Sequence, residues 1–152
     1  MRAVVQRVHE ASVEVDGRIV GEIGTGLLVY VGVHRLDGED APAKMADRLA
    51  GVRIFSDSDG KVNLSLRNLV EAGSDAGLLL VSNFTVYGDA SKNRRPSFTE
   101  SAAFEPGLQA FDRLVVAAKA LIPNVQTGVF GADMRVRTVN DGPVTLILEV
   151  GP

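Results

Sequence analysis

Hydroxyl and amide side chains gather at one place in this chain, Ser82-Asn83-Phe84-Thr85, where the apolar run Leu78-Leu79-Leu80-Val81 gives out. Polar groups at the end of a buried strand can converge on the mouth of a sheet. If the chain is an enzyme, catalysis there would rest on backbone donors, a hydroxyl or the substrate itself. The plainer reading is a polar strand end. Other equipment is missing: there is no Gly-x-Ser-x-Gly elbow, no His-Glu-x-x-His and no Gly-x-x-x-x-Gly-Lys loop. The chain has no cysteine, which removes thiol nucleophiles and thiolate zinc sites and fits a reducing compartment. No cofactor or metal is expected. His9 and His34, the only histidines, flank separate strand-like runs and read as polar edge residues rather than a catalytic dyad. Gly24-Thr25-Gly26 lacks the third glycine and the following helix of a dinucleotide site, so it reads as a turn. A second irregular stretch, Asn140-Asp141-Gly142-Pro143-Val144-Thr145, wedges a Gly-Pro step between two strand-like runs. Proline cannot donate in a central ladder and glycine packs nothing, so the step is a turn, an edge or a cis peptide. Taken alone, it reads as a hairpin turn.

The elements that must position these residues begin as strands. Ala3 to Val8 is short and β-branched, Ser12 to Val15 alternates, and Asp16-Gly17 supplies a hairpin turn into Arg18–Ile23. Leu27 to Val33 is apolar throughout, as a strand covered on both faces should be. The period then changes. Asp40, Pro42 and the spacing of Met45 and Leu49 predict a helix from about Ala41 to Ala50. Val52 to Phe55 and Val62 to Leu66 read as short strands around a turn, and Leu78 to Ser82 as a second buried strand. From Asn83 to about Ser101 the pattern lapses into a long loop, a kind that is usually functional or disordered. A second helix starts near Pro106, carries Leu108, Phe111, Leu114, Val115, Ala118 and Leu121 on one stripe, and ends before Pro123. Val125–Phe130, Met134–Val139 and Val144–Val150 predict three closing strands. The expected fold is α+β: a single domain of predominantly antiparallel, barrel-like layered sheets, with two helices packed on one side.

Composition narrows the function classes. The 152 residues are 45% hydrophobic and 23% charged, an ordinary globular balance, with no repeat or low-complexity tract. A net charge of −3 argues against coating nucleic acid or membrane by bulk electrostatics, but leaves room for reading one end of an RNA. Gln6 and Arg7 interrupt the opening apolar run, so it reads as neither signal peptide nor membrane span. A cytoplasmic enzyme or binding module is the expectation.

Four stretches in the same order resemble one family. They are Met1 to Val8; Ser82-Asn83-Phe84-Thr85-Val86; Arg95-Pro96-Ser97-Phe98; and the block from Gly128 through Phe130, Gly131 and Met134 to Thr145. Together they resemble the D-aminoacyl-tRNA deacylase, or D-tyrosyl-tRNA deacylase, family over the full length. Two departures stand out: Asn83 replaces the family's usual Gln, and Val86 its usual Leu. The resemblance implies hydrolysis of the ester joining a D-amino acid to the terminal adenosine of tRNA, by a homodimer whose active sites lie at the subunit interface. It implies that Gly142-Pro143 is a cis step reaching into the partner's pocket, where its main chain rejects L-aminoacyl groups and leaves glycyl-tRNA as a substrate. Arg7 would brace that step. Thr85 would be an active-site positioning group rather than a nucleophile, with the amides of Phe84 and Thr85 stabilising the oxyanion, Ser82 and Asn83 beside them, and the RNA 2′-hydroxyl assisting. Lys92, Arg94 and Arg95 would meet phosphates near the tRNA 3′ end. Phe98 or Phe130 would support the adenine, against a simpler place in the core, and Met134 would lie near them, with packing as its simpler role.

Two other classes compete with an editing hydrolase. One is a non-catalytic dimeric module for RNA ends or protein partners, in which Asn83 has removed activity. The other is a generic esterase built on Thr85 or Ser82.

Overall fold

The computed structural model describes residues 1–152. Its first strand, β1 (Arg2–Val15), is the axis of the sheet. One edge of β1 is shared by β2 (Arg18–Ile23), which pairs with its second half, and β3 (Gly26–Gly32), which pairs with its first half, both antiparallel. The other edge pairs antiparallel along nearly its whole length with β8 (Arg135–Glu149). Two parallel neighbours follow β3, namely β6 (Gly77–Ser82) and β7 (Val125–Thr127). The sheet curls until β2 meets β7: a Cβ built on Gly21 would lie 2.5 Å from the Thr127 carbonyl oxygen. The result is a nearly closed, barrel-like sheet.

Alternation along the strands divides the core. Leu27, Val29, Val31, Leu78 and Leu80 face a large apolar cluster with Met45 and Leu49 of α1 (Ala41–Gly51) and Phe111 and Leu114 of α3 (Phe104–Lys119). Leu28, Leu79 and Val81 face inward, with Val8, Val13 and Ile23, into a smaller cluster inside the curl. The two continuous apolar runs are therefore strands covered on both faces, as their composition requires. A small hairpin, β4 (Arg53–Ser56) with β5 (Val62–Ser65), lies apart from the main sheet. No helix is long and apolar enough to cross a membrane.

The α+β class stands, with corrections of detail. The helices number three rather than two: Ser65 ends its strand and opens α2 (Leu66–Glu71), whose capping box joins Ser65 reciprocally to Asn68. The two opening strands are one: a bulge at His9 and Glu10 shifts the phase of the alternation, so that Val8 and Ala11 both face inward while pairing with β8 carries on past it. The last two closing strands are also one. β8 continues through Gly142-Pro143, whose peptide bond is cis, as a bulge: Asn140 pairs with Val8 and Thr145 with Gln6, leaving 141–144 against Arg7 alone, and the hairpin turn expected there does not form. The first closing strand stops at Thr127 instead of Phe130.

The start of the β3–β6 pair has no spare volume, since a Cβ on Gly26 would sit 2.0 Å from the Gly77 carbonyl oxygen. A backbone oxygen cannot swing aside as a side chain would. Gly26→Ala should therefore cost about 2–3 kcal/mol or more of stability, read as a lower urea midpoint at unchanged m-value.

Candidate active site

The parallel pairing of β3 with β6 places Val31 opposite Ser82, and the Asn83 N–H then donates to the Val31 carbonyl at 2.8 Å. Beyond the sheet Asn83 caps a single 3-10 turn, Phe84–Tyr87. On the far side, the Ala102 N–H donates to the Val33 carbonyl at 2.9 Å and leads the chain into α3. Between these segments lies a cavity of about 360 Å³. Its wall includes Ser82, Asn83, Phe84, Ala103, Phe104 and Phe130, and is mainly apolar. Phe130 meets Phe104 edge-on at 5.2 Å and leans on Phe111 of the core at 5.9 Å, so the aromatic wall is anchored in the interior.

Hydrogen bonds at the mouth are specific. The Thr85 N–H donates to Asn83 Oδ1 at 3.1 Å, and Thr85 Oγ1 donates to the same oxygen at 2.5 Å. Ser101 Oγ donates to the Phe84 carbonyl at 2.8 Å. The Phe84 N–H has no acceptor in the chain. No histidine or carboxylate lines the cavity.

The expected site residues thus divide into groups. Ser82, Asn83, Phe84 and Phe130 share the cavity, and Thr85 adjoins it through Asn83. Phe98 flanks the site from outside, edge-on to Phe84 at 5.1 Å. Met134 packs against the small inner cluster. Lys92, Arg94 and Arg95 lie on the exposed loop between the paired residues Asp89 and Ser97, and none of them is ion-paired to a carboxylate.

Gly142 and Pro143 are elsewhere. They are exposed on β8 opposite Gln6–Val8, while the cavity opens near Val31 and Ser82. Four residue steps along β3 and three strand spacings make that separation roughly 20 Å. Arg7 lies beneath the step and is buried. It donates through Nη1 to the Ile54 carbonyl at 2.6 Å, and its Nε is 3.0 Å from Asp141 Oδ2. His9 Nε2 stands 3.5 Å from the other Asp141 oxygen. His34 is at the opposite end of the β1–β3 pair: its Nδ1 accepts from the Leu36 N–H and its Nε2 lies 2.9 Å from Glu100. The histidines share no site, and each has a local structural partner. Contact with His34, supported by Arg35, holds the Glu100 carboxyl below its ordinary value.

Tyr87 closes the 3-10 turn with its ring 5.1 Å from His34 and 4.7 Å beneath the Arg2 guanidinium. Burial, and then the charges of Asp37 and Glu149 against the opposing pull of Arg2, push its phenol up to about 12. Burial also raises Tyr30, the other tyrosine. A phenol whose folded value lies above its unfolded one stabilises the fold fully below the unfolded value, about 10, and loses that contribution as pH rises through the folded one. The tyrosinate absorbance should thus rise only well above pH 10, and the urea midpoint should fall over the same alkaline range.

Sequence reasoning left out Ser101, Ala102, Ala103 and Phe104. They close the long loop and open α3, where neither strand nor helix period yet operates, so only their return to Val33 marks them.

A family model described as D-Tyr-tRNA(Tyr) deacylase matches residues 4–149. Relatives called D-aminoacyl-tRNA deacylase include one from Polaromonas sp. (strain JS666 / ATCC BAA-500), 51% identical and covering 100% of this chain and 99% of its own. Another, from Burkholderia cenocepacia (strain HI2424), is 51% identical with both chains fully covered. Among solved structures, the c-Myc DNA Unwinding Element Binding Protein superposes with a TM-score of 0.90 at 31% identity, both chains fully covered. A probable eukaryotic D-amino acid tRNA deacylase superposes at 0.83 with 17% identity and 98% coverage of each chain, a likeness of fold.

Proposed function

The chain belongs to the D-Tyr-tRNA(Tyr) deacylase family and is an ester hydrolase of the D-aminoacyl-tRNA deacylase kind, and on that premise we propose how its residues perform and restrict the reaction. The terminal adenosine and its aminoacyl ester enter the apolar cavity. Phe104 and Phe130 face the base, and the Ser82–Thr85 segment faces the ester. Lys92, Arg94 and Arg95 meet the phosphates behind it.

The observation that carries this reading is the chemistry of the wall: it has free backbone and hydroxyl groups and no histidine or carboxylate. Such a wall suits an already activated ester, attacked by one positioned water with help from the neighbouring RNA 2′-hydroxyl. A preorganised N–H aimed at the developing oxyanion is worth about 2.7–4 kcal/mol. The Thr85 hydroxyl donates to Asn83, which fits a positioning role and leaves the threonine without a base to activate it as a nucleophile.

Chiral selection is assigned to Gly142-Pro143 of a second subunit. At roughly 20 Å the step cannot serve the cavity of its own chain. It is exposed, as a step that serves another subunit must be. A wall of main chain placed where the D-amino acid carries hydrogen excludes the L side chain by clash, and admits glycine, which has hydrogen on both sides. The protein would act as a homodimer in the cytoplasm.

The decisive experiment offers D-tyrosyl-, L-tyrosyl- and glycyl-tRNA to the purified protein. Release from the D and glycyl substrates with L spared is expected. Tight binding without turnover would establish the non-catalytic module, and equal activity on small esters the generic esterase. Mixing a Gly142 variant with the cavity-blocked Ala103→Phe variant tests subunit sharing, since the one open cavity of a hybrid dimer would then be walled by an intact Gly142-Pro143 and should recover selectivity for D.

A further inference from the structure

We propose that Asn83 and Ser101 are positioning residues that clamp the Phe84–Thr85 peptide from both ends, and that of the Phe84 and Thr85 amides they leave only the Phe84 N–H free for the ester carbonyl. The proposal rests on the deacylase reading and narrows it, because it withdraws the Thr85 N–H from the oxyanion.

The peptide joining Phe84 to Thr85 has one acceptor and one donor, and both are engaged. Its carbonyl accepts from Ser101 Oγ at 2.8 Å, and its N–H donates to Asn83 Oδ1 at 3.1 Å. That same oxygen also accepts the Thr85 hydroxyl at 2.5 Å, which fills its two lone pairs. Both Thr85 protons therefore point back at Asn83, and the hydroxyl keeps only acceptor capacity toward the cavity. The preceding peptide differs: the Phe84 N–H has no acceptor, on a residue of the cavity wall.

The clamp follows from side-chain length. An N-cap carbonyl must turn back over two residues, which the short side chain of Asn achieves, and Asn ranks among the strongest caps. Gln, which usually stands here in the family this chain resembles, carries one more methylene and is not a favoured cap. Ser101 is held as firmly as Asn83. Arg35 N–H donates to the Glu100 carbonyl at 3.0 Å, Ala102 N–H to the Val33 carbonyl at 2.9 Å, and the Glu100 carboxylate meets His34. Bonds on both sides of Ser101 thus fix where its hydroxyl points, although it ends a long exposed loop.

Three measurements test this. By NMR, the Thr85 amide should be protected from hydrogen exchange in the wild-type protein and exchange at least about tenfold faster in Asn83→Ala, the scale of a lost cap. Asn83→Asp, which keeps the acceptor oxygen, should restore protection. In steady-state deacylation of D-tyrosyl-tRNA, Asn83→Ala and Ser101→Ala should each lower kcat about tenfold with KM held within about twofold, and Asn83→Asp and Ser101→Thr should recover most of it. Titration with a non-hydrolysable D-tyrosylamide of 3′-amino-3′-deoxyadenosine should shift the Phe84 amide resonance and leave that of Thr85 in place. An unprotected Thr85 amide, wild-type kcat in both alanine variants, or a ligand-induced shift at Thr85 would each overturn the proposal. Failure of the wild-type protein to release D-tyrosine would instead overturn the deacylase reading, which the exchange rates do not depend on.

Discussion

Ala103→Phe is expected to slow deacylation of D-tyrosyl-tRNA on the order of 10²-fold in kcat/KM while leaving the urea midpoint almost unchanged. Ala103 lies on the cavity wall and is exposed, and it precedes α3 without making a side-chain cap. A ring there removes no core contact and no hydrogen bond. It does occupy space facing Phe104 and Phe130, so a substrate that enters must sit displaced from the Phe84–Thr85 segment. Displacements near 1 Å suffice for losses of about this size when catalysis rests on placement. Activity within a few fold of wild type would mean that the reacting end of the substrate lies outside this cavity.

Arg7→Ala is expected to lower stability by about 2–3 kcal/mol, below the usual cost of breaking a fully buried pair because the Asp141 carboxylate stays about one-third in water. The loss has two parts. The Ile54 carbonyl forfeits a charged donor at 2.6 Å, and Asp141 keeps only His9 at 3.5 Å. Urea titration measures the first consequence. The second falls on chirality: with Asp141 released, the adjoining Gly142-Pro143 step loses its support from beneath, and the ratio of D- to L-tyrosyl-tRNA hydrolysis should fall. Arg7→Lys should rescue little, since a single ammonium cannot reach the Ile54 carbonyl and the Asp141 carboxylate with separate, fixed nitrogens. A variant of unchanged stability and selectivity would show that the step is held by other contacts.

What could be read beforehand depended on whether a residue's signal was local. Leu27 to Val31 and Leu78 to Val81 announce doubly covered strands through composition alone, and every residue but Tyr30 lies fully or nearly fully buried. The Met45 and Leu49 spacing likewise fixes α1. Gly142-Pro143 misled because its residue types describe a turn, whereas pairing with β1, more than 130 positions earlier, resumes on both sides of it, at Asn140 and Thr145, and makes it a bulge. The hinge between Ser65 and Leu66 was hidden for a similar reason: a β-like apolar alternation runs into a capping box that only Asn68 completes. At the site, Ser82 to Thr85 stood out as hydroxyls and amides where an apolar run ends. Ser101 and Ala103 did not, because their part in it is conferred by Val33 and Phe84 across the fold.

The place of β1 at the centre of the sheet sets a timetable for synthesis on the ribosome. Arg2 pairs with Glu149 and Glu14 with Arg135, so the earliest strand made is completed by the last. At about 5–20 residues per second, β1 waits roughly 7–30 s with one ladder edge open. Its other edge is closed within the first thirty-two residues by β2 and β3. A nascent meander can thus form early, but it carries a sticky rim until β8 emerges, and slowed translation of the closing segment should favour aggregation over folding.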